Sequence, residues 1–322
     1  MQKLTTRRFF LVMVFILPTA FVSSFTAAAP VNSPASQVFD LTSRQSKFIL
    51  SAGYRVGDLD WNIAGDTTGE NPNILSELTW SDLEIYQVKL SNVTMIPKRV
   101  YFRGSLAYGW ITGGENQDAD FNGDNRTLEW SRSNNKTKDD NVLDASLGIG
   151  YPFTFGQGKF RISPLIGYSY HKQNLRITDG CQTIPPTGSF QGLDSTYDAE
   201  WSGPWVGLDL MFKLNEKHNL FAEIEYHWAD YYAEANWNLR SDYAHPKSFE
   251  HDADGDGIII LMGWTYLFHG RWALDVTVDY QSWSTDHGID RVFFASGTTA
   301  ETRLNEVNWE SYAAMIGLAY HF

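Results

Sequence analysis

The chain has 322 residues, a formal net charge of −13 and a single cysteine, Cys181. The acidic balance argues against nucleic-acid binding, which needs basic patches. One cysteine excludes an internal disulfide framework and a Cys-rich zinc site. Aromatic residues are 15% of the chain, Gly numbers 26 and Pro only 11, and the mean hydropathy is −0.31, the balance of a β protein and not of a bundle of membrane helices.

Lys3, Arg7 and Arg8 precede an apolar run from Phe9 to Val22, and small residues follow up to Ala29. This order is that of a secretory signal peptide, expected over residues 1–29, with Sec-dependent export as its consequence. A periplasmic lead-in is expected over 30–45 and a single β domain over 46–322. No later segment reaches the ~18 consecutive apolar residues of a membrane-spanning helix.

Strict alternation then recurs along the chain. Near 99–110, Val100, Phe102, Leu106, Tyr108 and Trp110 oppose Arg99, Arg103 and Ser105. Near 219–228, Leu220, Ile224, Tyr226 and Trp228 oppose Asn219, Glu223, Glu225 and His227. Near 271–283, Trp272, Leu274, Val276, Val278 and Tyr280 oppose Arg271, Asp275 and Asp279. The final segment sets Tyr312, Ile316, Leu318, Tyr320 and Phe322 against small or polar residues. One face is large, apolar and ends in Tyr or Trp, as on a barrel surrounded by lipid.

Ten such segments are predicted, near 47–63, 73–90, 98–113, 140–152, 159–178, 198–213, 218–239, 256–268, 271–285 and 304–322. Tight turns such as Asn215-Glu216-Lys217 and His269-Gly270 alternate with long polar stretches at 64–72, 114–139, 179–197, 240–255 and 286–303. Short periplasmic turns and long outer loops are the bacterial outer-membrane arrangement. The expected fold is all-β: a ten-stranded antiparallel transmembrane β-barrel with extended extracellular strands and loops.

The polar faces carry both charges: Arg55, Arg103, Arg161 and Arg271 with Asp144, Asp209, Glu223, Glu225, Asp275 and Asp279. Inside a ten-stranded barrel these predict a paired network and a plugged or narrow lumen, since wide channels need about sixteen strands. The seventh segment continues past Trp228 without a lipid-facing pattern, which predicts a sheet projecting outside the cell. His227 and His171 read as satisfied interior histidines.

The second long loop carries two readings. Asp118, Asp120, Asn122, Gly123 and Glu129 have the spacing of a calcium loop, with Glu129 at position twelve. Asp252-Ala253-Asp254-Gly255-Asp256-Gly257 begins the same way but has Gly263 at position twelve.

The other reading comes from a resemblance. Gly109-Trp110-Ile111-Thr112-Gly113-Gly114 leading to Asp118-Ala119-Asp120-Phe121 is similar to the omptin family of outer-membrane proteases, as are the ten strands and the tall extension. The resemblance implies that Asp118 and Asp120 position a water while Asp242 orients His245 as general base, acting on basic peptides with lipopolysaccharide as activator. The loop here reads Asp242-Tyr243-Ala244-His245, one residue wider than the family's Asp-x-His. A more extensive resemblance, from about residue 45 to the end, is to the Protochlamydia outer membrane protein family. Ser76-Glu77-Leu78-Thr79-Trp80, Trp201-Ser202-Gly203-Pro204-Trp205 and Glu225-Tyr226-His227-Trp228 carry it. It implies a surface barrel, porin-like or binding, with no catalytic set and no required cofactor. The implied location is the outer membrane of a Gram-negative-type bacterium. The implied partners are outer-membrane lipid, lipopolysaccharide and the barrel assembly machinery.

Overall fold

The computed structural model describes residues 45–96 and 100–322. The signal peptide expected over 1–29, residues 30–44 of the lead-in and Arg99 lie outside the described residues. The strands are β1 (Gln45–Ile63), β2 (Ser76–Ile96), β3 (Val100–Gly123), β4 (Thr127–Lys136), β5 (Asp140–Gly150), β6 (Phe153–Phe155), β7 (Phe160–Ile184), β8 (Gly188–Ser189), β9 (Asp194–Lys213), β10 (His218–Asn236), β11 (Phe249–His269), β12 (Trp272–Thr285), β13 (Gly288–Phe293) and β14 (Thr299–His321). All pairings are antiparallel, and β1 closes the sheet by pairing with both β2 and β14.

The closed sheet has ten staves. β4 and β5 share the one between β3 and β7, and β12 and β13 share the one between β11 and β14. β3 has 24 residues and β7 has 25. A spanning strand needs about 9–11, so the upper half of the barrel stands clear of any bilayer. Much of what reads as loop is therefore strand. β3 runs on through Asp118 and Asp120 and returns as β4, and β11 begins at Phe249 and includes Asp252, Asp254 and Asp256.

The outer face of the lower half is apolar. On β14, Tyr312, Ile316 and Leu318 are exposed while Ala313, Met315 and Ala319 are buried. Aromatic pairs edge this belt. Tyr54–Tyr86 (5.2 Å), Tyr108–Trp110 (5.1 Å) and Tyr226–Trp228 (5.1 Å) mark one rim; Trp272–Tyr320 and Tyr320–Phe322 (both 4.8 Å) mark the other.

Inside the belt the lumen is polar and ion-paired. Lys47 meets Asp275 at 2.8 Å, and Arg55 meets Asp144 at 2.7 Å. Arg103 is the hub: it binds Asp209 at 2.8 Å and also Glu223 and Glu225. Tyr101 donates its hydroxyl to Asp209 at 2.8 Å. Charges leave water only when paired in this way. The inward set departs from the sequence reading at one place. Arg271 is an exposed turn residue, because the β11–β12 connection reaches past Gly270. Arg161 does face inward, where it lies 5.1 Å from the Tyr101 ring in a cation–π contact beside the lower cavity. Two small cavities remain, of about 90 and 100 Å³, beside Arg55 and Gln87 and beside Lys47 and Arg161.

Above the ion pairs the interior becomes an apolar core. Trp61, Trp80, Tyr197, Trp201, Tyr231, Trp283 and Trp309 are all buried in one cluster. The large rings need bare backbone beneath them. A Cβ on Gly257 would stand 2.3 Å from Trp283, and one on Gly167 would stand 2.3 Å from Trp205. Glycine at these strand positions is explained by that close approach.

Candidate extracellular site

The upper half inverts the pattern of the lower half: apolar and aromatic groups face inward, polar ones outward. Asp118 and Asp120 are exceptions. Asp118 pairs across the sheet with Leu78 and Ser133, and Asp120 with Ser76 and Ser131. Leu78 and Ser133 are buried, so both carboxylates face the interior of the extension. Burial pushes the Asp118 carboxyl up to about 8, with Asp120 adding to the shift, while Arg240 and a hydrogen bond from Trp237 pull the other way. Asp120 is also raised by burial, offset by hydrogen bonds from Ser76 and Ser131.

The β10–β11 loop reaches this pair, but through Arg240 and Trp237. Asp242 is held in a two-pronged ion pair with Arg240 (3.0 and 2.8 Å), and the guanidinium lies 4.2 Å from the Tyr243 ring. His245 places Nδ1 2.8 Å from Asn236 Oδ1 and Nε2 3.2 Å from the Arg240 carbonyl oxygen. Both ring nitrogens are thus engaged within the β10–β11 region itself. Asp118 and Asp120 thus lie together, whereas Asp242 and His245 are not hydrogen-bonded to each other. The cation whose charge acts on both carboxylates is Arg240.

The calcium spacing is not brought together. Asp118, Asp120 and Asn122 lie along an extended strand rising about 3.3 Å per residue, with a register shift between Asp120 and Phe121, and Glu129 is paired with Arg132 at 2.6 Å. The carboxylates of Asp252, Asp254 and Asp256 are exposed on β11 in the same extended way. Among the described residues no group of three or more His, Cys, Asp or Glu is arranged to hold a metal ion.

One polar chain escaped the sequence reading, and a second gives the expected interior His227 its partners. In the extension, Tyr231 and Tyr197 share a 2.6 Å hydroxyl contact, and Tyr197 meets His251 Nδ1 at 2.9 Å. His251 Nε2 stands 3.2 Å from Asp290, which accepts from Thr302 at 3.0 Å. Burial raises the Tyr197 hydroxyl well above its ordinary value, so it stays protonated. In the lumen, His227 places Nδ1 2.9 Å from Ser169 Oγ and Nε2 2.9 Å from Glu225. The types match a nucleophile–base–acid set. Ser169 and His227 are nevertheless fully enclosed, with Trp205 and Trp283 against the imidazole, and Glu225 is already bound by Arg103. No substrate carbonyl reaches that serine, and the chain serves to satisfy buried groups. Strand alternation places such residues inward; it says nothing about which strands face one another.

The Asp118 shift has a consequence for stability. The folded protein keeps a proton that the unfolded chain releases above about pH 4. Its contribution is full below that pH and is lost as pH rises toward about 8. Urea midpoints are expected to fall over that window, and Asp118→Asn to flatten the fall. An unchanged slope in the variant would remove Asp118 as the cause.

A closed antiparallel barrel with an aromatic-edged apolar belt, a filled lumen and a tall polar extension is the form of a bacterial outer-membrane β-barrel protein. The family model described as Protochlamydia outer membrane protein matches residues 49–322, and the chain belongs to that family. Among solved structures the chain is similar to the outer membrane protease OmpT from Escherichia coli, at 13% identity and a TM-score of 0.70. That match covers 86% of this chain and 97% of that one. The translocator domain of the autotransporter NalP from Neisseria meningitidis matches at 10% identity and a TM-score of 0.36, covering 85% of this chain and 88% of that one. OprG from Pseudomonas aeruginosa matches at 13% and 0.35, covering 88% and 98%. No curated protein sequence matches the chain. At these identities the OmpT likeness establishes the barrel fold and no activity.

Proposed function

We propose that this outer-membrane barrel is plugged and works at its extracellular face as a binding surface. The observation that carries this reading is the filled interior. Ion pairs centred on Arg103 occupy the lower lumen, and a continuous cluster from Trp283 to Trp61 occupies the upper. A solute path would have to cross both layers. Proteoliposomes containing the refolded protein are expected to swell no faster in arabinose than empty vesicles; porin-like swelling would overturn the reading. In it, outer-leaflet lipid and lipopolysaccharide surround the belt, and the barrel assembly machinery inserts it.

A second reading, an omptin-like endopeptidase, is favoured by one observation: the inward Asp118–Asp120 pair lies beneath a loop that carries Arg240 and Trp237. Its test is cleavage of basic peptides by the refolded barrel with lipopolysaccharide present. Activity abolished in the Asp118→Ala, Asp120→Ala variant would establish it. Absence of cleavage by folded protein would leave the binding reading alone.

A further inference from the structure

The two ends of the apolar belt carry opposite charge. Just above the extracellular rim, Asp230 lies directly across from Asp254, and Asp58 across from Glu310. The described periplasmic connections instead carry Lys159, Lys217 and Arg271. None of these three cations is ion-paired among the described residues, and the one carboxylate beside them, Glu216, is held by Lys213 at 3.0 Å. The periplasmic rim is therefore left with unanswered positive charge.

Where these cations meet the belt, an imidazole stands among the rings. Asn219 and Thr265 are buried in the lumen, so alternation turns His218, Trp264 and Tyr266 out toward lipid. His218 lies directly across from Tyr266, with ring centroids 4.8 Å apart and planes 17° apart; the Trp264 ring is 5.6 Å away at 14°. Trp264 donates its Nε1–H to His218 Nδ1 at 3.2 Å. An indole N–H only donates, so the imidazole accepts through Nδ1 and carries its proton on Nε2. Trp264 sits two residues farther up the barrel, opposite Leu220. It takes the nitrogen facing up the wall and leaves Nε2–H for the periplasmic side. Among the described residues nothing accepts that hydrogen bond.

A donor at the edge of the hydrocarbon needs an acceptor, and acyl chains offer none. Lys217 immediately precedes His218, and its carbonyl oxygen accepts from the Leu267 N–H at 2.8 Å. Arg271 lies in the next turn, where its carbonyl oxygen accepts from the His321 N–H at 2.9 Å. With their backbones tied and their charged ends free, both side chains can snorkel to the headgroup layer. Phe268 and Trp272, both exposed, supply the apolar flank between the two turns. Donor, cations and rings together match a group that is anionic, accepts hydrogen bonds and is carried on acyl chains. We propose that this rim binds the phosphate of an anionic inner-leaflet phospholipid, with His218 Nε2–H donating to it and Lys217 and Arg271 supplying the charge. The site lies outside the lumen and is independent of whether the barrel is plugged.

Native mass spectrometry of the barrel released from nanodiscs of equimolar phosphatidylglycerol and phosphatidylcholine tests the site. The parent is expected to retain phosphatidylglycerol in preference. His218→Phe keeps a flat ring but no donor, and is expected to weaken that retention about tenfold, the worth of one hydrogen bond to a charged acceptor. Lys217→Ala, at an exposed turn, is expected to act in the same direction, and Arg291→Ala on the extension to leave retention unchanged. Heat-modifiable gel mobility confirms that each variant is a closed barrel. Millimolar inorganic phosphate separates a lipid headgroup from a free anion, and is expected to displace no lipid. Equal retention of the two lipids, displacement by inorganic phosphate, or undiminished retention by a folded His218→Phe or by Lys217→Ala would overturn the proposal.

Discussion

Arg103→Met is expected to destabilise the barrel by about 3–5 kcal/mol, the usual cost of breaking a buried charge pair. Arg103 is 7% exposed and answers three carboxylates, Asp209 from β9 and Glu223 and Glu225 from β10. It also lies 5.1 Å from the Trp205 ring, which stands over Gly148 and Gly167. Methionine fills much of the same volume but leaves Asp209 and Glu225 buried without their cation. Urea unfolding in detergent measures the loss. Adding Glu223→Gln and Glu225→Gln to the methionine variant is expected to restore part of it, because the charge and not the packing is the cause. A loss under about 1 kcal/mol would be the behaviour of a solvated surface pair and would contradict a sealed hub.

Removing the floor of the aromatic core is expected to have the other large effect. Trp201 and Trp283 are almost completely buried, with ring centroids 5.7 Å apart. Trp283 also contacts His171 at 4.7 Å and His227 at 4.8 Å, so it joins the aromatic layer to the ionic one. Each Trp→Ala change is expected to cost about 3–5 kcal/mol, transfer and cavity terms together. The Trp201→Ala, Trp283→Ala double variant is expected to admit water and show ion conductance that the parent lacks. A silent double variant that remains folded would place the seal elsewhere.

The lower half of the fold was legible because lipid imposes one strong rule on every strand. Phe102, Leu106 and Trp110 on β3 and Tyr312, Ile316 and Leu318 on β14 obey it without interruption. Above the rim the rule reverses, and strands read as loops. Ala253 and Gly255 face inward as small residues beneath large rings, so Asp252, Asp254 and Asp256 resemble an acidic turn. The Gly113–Gly114 bulge breaks the phase of β3 just before Asp118, hiding the strand that carries it. The Asp118–Asp120 pair was visible as a motif, while its partner was not. Arg240 comes from a loop more than a hundred residues away, and its ion pair with Asp242 removes that carboxylate from His245. Across the lumen, Lys47 and Asp275 are 228 residues apart. Alternation places both inside, and only the closure of β1 on β14 brings them together.

The most direct test of the plugged barrel is single-channel recording of the refolded parent protein in a planar bilayer. Insertion is confirmed by protease protection of the belt, and the double tryptophan variant serves as the open comparison. The parent is expected to give no discrete current steps in molar potassium chloride at either polarity. Stable, ohmic openings from the parent would mean that water already crosses the Trp283 layer, and would contradict the account.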